Sequence, residues 1–282
     1  MIKVIMDSCG DLPPDLLAQA DIEVVPVNIH FGDQVFREGV DIDQAGVFQK
    51  IAAERCFPST AQPSPHQFSE AFRRVAREKR ADEIISVHVS SHLSGTYASA
   101  RLAAEEVAEA VTVHPFDSLS GSGGQGFMAL QAARMAAGGA SAEEILVRLR
   151  AMREEMVVCI ALDTLEYAKL SGRIGTLGAS LASMLRIKPL VSLEEGKMAV
   201  CEKVRTHRRA IDRMLALVVE KIGDQRAWVA VLHAEAPEQA EALAQRVRAA
   251  FDLEISFVET ASTGVAVHLG PGAIGLVACP AA

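Results

Sequence analysis

Residues 83–110, EIISVHVSSHLSGTYASARLAAEEVAEA, decide the fold. EIISVHVS (83–90) is a short apolar, β-branched run of the kind that forms a buried strand, and residues 97–110 carry the longer Ala-rich spacing of a helix. A tight loop of small and hydroxyl-bearing residues joins them. Strand, loop and helix in that order make one βα unit, and the same alternation extends in both directions, which predicts an α/β protein with helices laid over a sheet.

Towards the N-terminus, IKVIM (2–6) reads as a buried strand, and Asp11 followed by Pro13 and Pro14 reads as a helix start with a capping side chain. A strand is expected over 22–31. In FSEAFRRVAREK (68–79), Phe68, Phe72, Val75 and Ala76 share one stripe of a helix. Towards the C-terminus come VTVHPF (111–116), the Gly-rich turn DSLSGSGGQG (117–126), and helices over 127–137 and 142–155. These segments predict an N-terminal parallel, doubly wound domain over 1–156. The remainder, 157–282, reads as a mixed or antiparallel α/β domain. It holds a strand at 157–163, a hairpin in PLVSLEEGKMAVCEKV (189–204) turning at Glu195-Gly196, helices at 208–222 and 237–250, and strands at 228–234, 253–259 and 274–279.

Composition narrows the function. Half of the 282 residues are hydrophobic, and 28 basic against 36 acidic residues leave a net charge of −8. Nucleic-acid affinity is built from clustered Lys and Arg, so a DNA or RNA partner is disfavoured. The N-terminus carries Asp7 too early for the apolar stretch of an export signal, and no run reaches the roughly 18 apolar residues of a membrane span. Five widely spaced cysteines (Cys9, Cys56, Cys159, Cys201 and Cys279) without a CxxC pattern suit neither a disulfide framework nor a zinc site. A cytoplasmic protein without a metal is expected.

Several loops collect the residues that could carry chemistry. PSTAQPSP (58–65) places Ser59, Thr60, Gln62 and Ser64 in a proline-held segment, which serves equally as a rigid connector with a helix cap. SSHLSGTYASA (90–100) groups Ser90, Ser91, Ser94 and Thr96 around Gly95 at a helix start, where backbone N–H groups and hydroxyls can hold an anion without a cationic side chain. DSLSGSGGQG resembles a phosphate-cradling turn but lacks the spacing and the Lys of a P-loop, and a plain turn before a helix accounts for it as well. In VHLGPGAIG (267–275), His268 stands beside glycines that admit close backbone approach. LEYAKLSGRIGTLG (165–178) holds Arg173 in a tight turn, and KVRTHRRA (203–210) is a basic segment best read as a solvated helix start. A phosphate-handling enzyme would use the two Ser/Gly turns with His268 as acid or base and Asp7, Asp117 and Asp163 for magnesium. Turn formation and capping explain those aspartates without a metal.

Taken in order, MDSCGDLPP, VVPVNIHFGD, PSTAQPS, SSHLSGTYASA, DSLSGSGGQG, LEYAKLSGRIG, RIKPLV, KVRTHRRA and HLGPGAIG resemble the DegV family along nearly the whole chain. The resemblance implies a two-domain α/β carrier that holds one long-chain fatty acid, such as palmitate, in a tunnel between its domains. It implies no catalytic residue, and no cofactor beyond that ligand. A separate fatty acid kinase would act on the presented carboxylate, and contact with a membrane would be transient. The head-group ligands implied are Thr60 and Ser94, with Arg173, His268, Gly95 and Thr96 in the surrounding polar network. Three departures stand out: Ala61 where the family pattern has Ser, Cys9 where it has Thr, and Leu170-Ser171 where a Lys-Gly pair is common. The last weakens the carry-over to Arg173.

Overall fold

The computed structural model describes residues 1–172 and 187–281. They fall into two compact units. The first is Met1–Asp43 with Phe57–Glu154, and the second is Gln44–Cys56 with Glu155–Ala282. The short segment 44–56 thus belongs with the C-terminal half of the chain.

In the first unit, β1 (Ile2–Asp7), β2 (Glu23–Val25), β6 (Glu83–His88) and β7 (Thr112–Asp117) form an all-parallel sheet in the order β2-β1-β6-β7. One face is covered by α3 (Pro65–Glu78) and α4 (Thr96–Glu106). Phe68, Phe72 and Val75 of the predicted stripe pack there against Ile5, Ile84, Ala100 and Ala103. The other face carries α5 (Ser122–Ala137), whose residues 123–133 are all buried, and α6 (Ala142–Glu155), whose Arg153 lies 4.6 Å over the Phe116 ring. Helices on both faces make the doubly wound sheet that the alternation predicts.

The expected strand 22–31 is in fact two strands in two sheets. Pro26, which cannot donate a ladder hydrogen bond, separates β2 from β3 (Asn28–Phe31). β3 then pairs antiparallel with β4 (Gln34–Arg37) and β5 (Ser59–Ala61) in a small additional sheet. Asp11 does not cap the first helix either. α1 (Pro14–Gln19) has Pro13 as its N-cap, and the Asp11 carboxylate instead accepts a 2.5 Å hydrogen bond from Ser122 Oγ.

The second unit is a six-stranded mixed sheet: β8 (Val157–Ala161), β9 (Lys188–Glu194), β10 (Lys197–Val204), β11 (Ala227–His233), β12 (Leu253–Thr260) and β13 (Ile274–Pro280), in the order β10-β9-β8-β13-β11-β12. Only β11 and β12 run parallel. The β9–β10 hairpin turns where expected, with Glu195 and Gly196 both at positive φ (48° and 78°), as a two-residue turn of this handedness requires. α8 (His207–Ile222) and α9 (Pro237–Ala250) cover one face, burying Met214, Val218, Leu243 and Val247 on Val229, Val231, Leu276 and Ala278.

α2 (Gln44–Glu54) is held to this unit by its first residue. The buried Gln44 carboxamide donates to the Ala261 carbonyl at 2.6 Å and accepts from Glu235 N–H at 3.1 Å. These bonds join groups about 190 to 220 residues apart, so no local pattern announces them.

Candidate functional site

Thr60 lies on β5, opposite Ile29 of β3, and is half-buried. Beyond it, Ser64 belongs wholly to the start of α3. Its Oγ accepts from Gln67 N–H at 3.2 Å, while the Gln67 side chain accepts from Ser64 N–H at 2.9 Å, a reciprocal capping box. The capping explanation therefore holds for Ser64 but leaves Thr60 and Gln62 unused by it.

The loop after β6 sorts its hydroxyls in the same way. Ser90 is buried and structural: its N–H donates to the Ser120 carbonyl at 2.7 Å, its Oγ accepts from His92 N–H, and its carbonyl accepts from Leu93 and Ser94. Ser91 is exposed, and its N–H donates to Asp117. Gly95 is the N-cap of α4 and has no side chain to cap it. The half-buried Ser94 Oγ lies 2.8 Å from the fully buried Thr96 Oγ1 and accepts from Thr96 N–H at 3.3 Å. Gly95 is also where the two loops meet. A Cβ placed there would stand 2.9 Å from Gln62 Nε2 and 3.1 Å from Gln62 Cδ, so the carboxamide of Gln62 rests directly on the glycine. Gln62 thus meets the N-terminus of α4 at Gly95, between Ser94 and the buried Thr96, with Thr60 two residues before Gln62.

The crevice between β1 and β6, where strand order reverses and where sheets of this kind usually bind ligands, is filled by the protein itself. Asp7, fully buried, accepts hydrogen bonds from the backbone N–H of Cys9 and Val89, both at 3.0 Å, and its other neighbour is His88 Nδ1 at 3.1 Å. His88 Nε2 in turn lies 2.7 Å from Ser86 Oγ. An Asp–His–Ser series of this kind resembles a hydrolase triad, but all three side chains have 0% exposure and Phe68 packs edge-on against the imidazole at 5.0 Å. Gln125 of α5 donates to the carbonyls of both Asp7 (3.3 Å) and Val87 (3.2 Å), stapling β1 to β6. Burial, reinforced by the carboxylates of Asp7, Glu38 and Asp11, pushes the Cys9 thiol well above its usual pKa, so it is a packed thiol and not a nucleophile.

The Gly-rich segment is also different from the expected turn. Ser122 to Gly126 are already helical, the first residues of α5, and the helix start is occupied by Asp11. Asp117 accepts from Ser91 and Leu119 N–H groups, and Asp163 is paired with Lys188 at 2.6 Å. Among the described residues no three His, Cys, Asp or Glu side chains are placed to hold a metal.

In the second unit His268 is part of a helix and not of a loop: α10 (Thr263–Leu269) ends on Gly270, with His268 half-buried in the last turn. Gly270, at φ 83°, is covered by the Tyr167 ring. A Cβ there would stand 2.6 Å from Tyr167 Cδ2, and Phe48 of α2 packs edge-on against the same ring at 6.3 Å. Tyr167 itself lies in α7 (Glu166–Leu170). The basic segment 203–210 is a strand end and a capped helix start, with Thr206 Oγ1 accepting from Arg209 N–H. Arg173 lies outside the described residues. No helix among the described residues is long and apolar enough to cross a membrane.

Comparison with known proteins bears on this geometry. The model of a family described as "Uncharacterised protein, DegV family" matches residues 1–281. A DegV domain-containing protein of Streptomyces coelicolor is 34% identical over 280 residues, covering 98% of this chain and 97% of that protein. Among solved structures, the fatty-acid-binding DegV family protein of Thermus thermophilus superposes with a TM-score of 0.91 at 33% identity, over 99% of both chains. DegV of Bacillus subtilis, also described as a fatty acid binding protein, superposes at 0.92 with 28% identity, again over 99% of both. With the family model matching residues 1–281 and the relatives aligning over nearly their whole length, this chain belongs to the DegV family.

Proposed function

We propose that this protein is a carrier that binds one long-chain fatty acid, such as palmitate, buries its acyl chain in a tunnel, and presents the carboxylate to a separate fatty acid kinase, in the service of lipid transport or fatty acid metabolism. The head group is held by Thr60 and Ser94. Thr96, Gly95, His268 and Arg173 complete the polar surroundings, and the cell compartment is the cytoplasm. The observation that carries this reading is the Ser94–Thr96 hydroxyl pair at the start of α4, whose N-cap is Gly95, beside the Thr60 loop, in a chain whose relatives bind fatty acids.

The chemistry suits such a ligand. If Thr96 O–H donates to Ser94 Oγ, that oxygen accepts from both the hydroxyl and the backbone N–H of Thr96, and the Ser94 proton is left to donate outward. Charge-assisted bonds from hydroxyls and helix-terminal N–H groups offset the cost of taking a carboxylate out of water. The tail drives binding. About fifteen methylenes at ~0.8 kcal/mol each offer on the order of 12 kcal/mol before ordering costs. The self-filled crevice at β1 and β6 supports the carrier over a phosphate-handling enzyme, since Asp7, Asp117 and Asp163, which such an enzyme would use for magnesium, are each engaged by other groups of the protein.

Native mass spectrometry of the protein purified from cells, followed by denaturing extraction, tests the proposal. A fatty acid at near-equal stoichiometry is expected. An empty protein that takes up no added palmitate but binds a nucleotide or sugar phosphate would overturn it.

A further inference from the structure

We propose that Gln62 is a head-group positioning residue, a third side-chain donor that reads the ligand's carboxylate; this rests on the fatty-acid reading above. Three observations support it. The Gln62 carboxamide is laid against Gly95, the residue that opens α4, at a distance that leaves no room for a Cβ on the glycine. That glycine stands between the two members of the Ser94–Thr96 hydroxyl pair, and Gln62 follows Thr60 by two residues, just past β5. Finally, the exposed Gln62 carboxamide donates to no acceptor among the described residues, whereas Ser64 and Gln67 close by form the reciprocal capping box of α3. An ionised carboxylate is an acceptor only, and a neutral amide donor at the positive end of α4 complements it without neutralising its charge. Gly95 has its own part in this, since its bare backbone lets the amide approach the helix start.

The test compares palmitate with hexadecanol, which shares the tail but lacks the carboxylate, on wild type, Gln62→Met, Gln62→Glu and Gly95→Ala at pH 8. Dissociation constants are read from displacement of a fluorescent fatty acid, and circular dichroism confirms the fold. Gln62→Met removes the donor and is expected to weaken palmitate about tenfold, which corresponds to about 1.4 kcal/mol. Gln62→Glu places a like charge beside the carboxylate and is expected to weaken palmitate further than Gln62→Met does. Gly95→Ala displaces the amide and is expected to act in the same direction as Gln62→Met. Hexadecanol binding should stay within about twofold throughout.

Equal losses for acid and alcohol would make Gln62 a merely structural residue and overturn the inference, as would palmitate binding that none of the variants changes. If wild type binds hexadecanol and palmitate equally, no carboxylate is being read, and the inference fails while the fatty-acid reading of the tail stands. If wild type binds neither, the underlying reading has failed.

Discussion

Gly126→Ala is a direct test of why the segment 117–126 is rich in glycine. Gly126 sits inside α5, where exchanging glycine for alanine ordinarily stabilises a helix by about 1 kcal/mol. Here the added methyl would fall far inside van der Waals contact of the Asp11 carbonyl oxygen, and 3.0 Å from Leu12 Cγ. The loop cannot simply swing aside. Asp11 N–H donates to the Ser122 carbonyl at 3.1 Å and its carboxylate accepts from Ser122 Oγ, so it is tied to the helix it would have to leave. Overpacking costs about 1–3 kcal/mol, and a clash with pinned backbone belongs at the upper end. Setting about 3 kcal/mol of clash against about 1 kcal/mol of propensity leaves a net loss of about 2 kcal/mol. For a chain of this size that is a fall in Tm of about 4–8 °C, measured by circular dichroism on heating. Gly138→Ala is the control. Its φ is −76° and its nearest new contacts are ordinary at 3.4 and 3.5 Å, so it should change stability by less than about 0.5 kcal/mol. A Gly126→Ala protein as stable as wild type would refute the packing explanation for this glycine.

Thr60→Ala and Ser94→Ala are each expected to reduce fatty acid affinity about 10- to 150-fold with the fold intact, the range of one charge-assisted hydrogen bond; unchanged affinity in both would remove the head-group assignment. Gln44→Ala leaves the Ala261 carbonyl and the Glu235 N–H without their side-chain partner, and hydrogen exchange should accelerate across 44–54 more than in the rest of the second unit. Burial lowers the pKa of His207 and His233 below the usual value near 6.5. The unfolded chain therefore binds more protons than the folded one as pH falls below about 6.5, so stability declines on acidification in that range. Thermal melts at pH 7.5 and 5.5 should show the decline, and a His207→Gln/His233→Gln variant should show less of it.

Much of this architecture is legible because it is local. The stripe of Phe68, Phe72 and Val75 carries its own helical period, and Glu195-Gly196 carries its own turn chemistry. The break at Pro26 was equally available, since a proline argues against one continuous strand, yet the apolar letters on both sides outweigh it in a periodic reading. What cannot be read is long-range: α2 docks through Gln44 onto residues more than 180 positions away. Glycine is ambiguous for a related reason. The sequence marks where a side chain is missing, but not whether a phosphate, as a cradle needs, or the chain's own backbone, as at Gly126, takes the space. For the candidate site, hydroxyls around Gly95 are visible as a cluster, but only the structure separates Ser90, absorbed in the loop, from Ser94, and only it shows Gln62 against Gly95.

The filled crevice and the displaced site are two aspects of one arrangement. An open parallel sheet offers its ligand position where the strand order reverses, between β1 and β6, and here Gln125 bonds to both strands while Asp7 collects two backbone N–H groups and His88. With that position closed, the next helix start along the sheet is that of α4 after β6, where the N-cap is Gly95 and Ser94 Oγ accepts from the Thr96 N–H. The small β4-β3-β5 sheet, absent from a minimal doubly wound domain, brings Gln62 to that start two residues after Thr60. Thr60, Gln62 and Ser94, the donors proposed to hold the head group, are neutral. A carboxylate held by neutral donors keeps more of its nucleophilicity than one clamped by a guanidinium, which is the property a carrier needs if another protein is to phosphorylate its cargo.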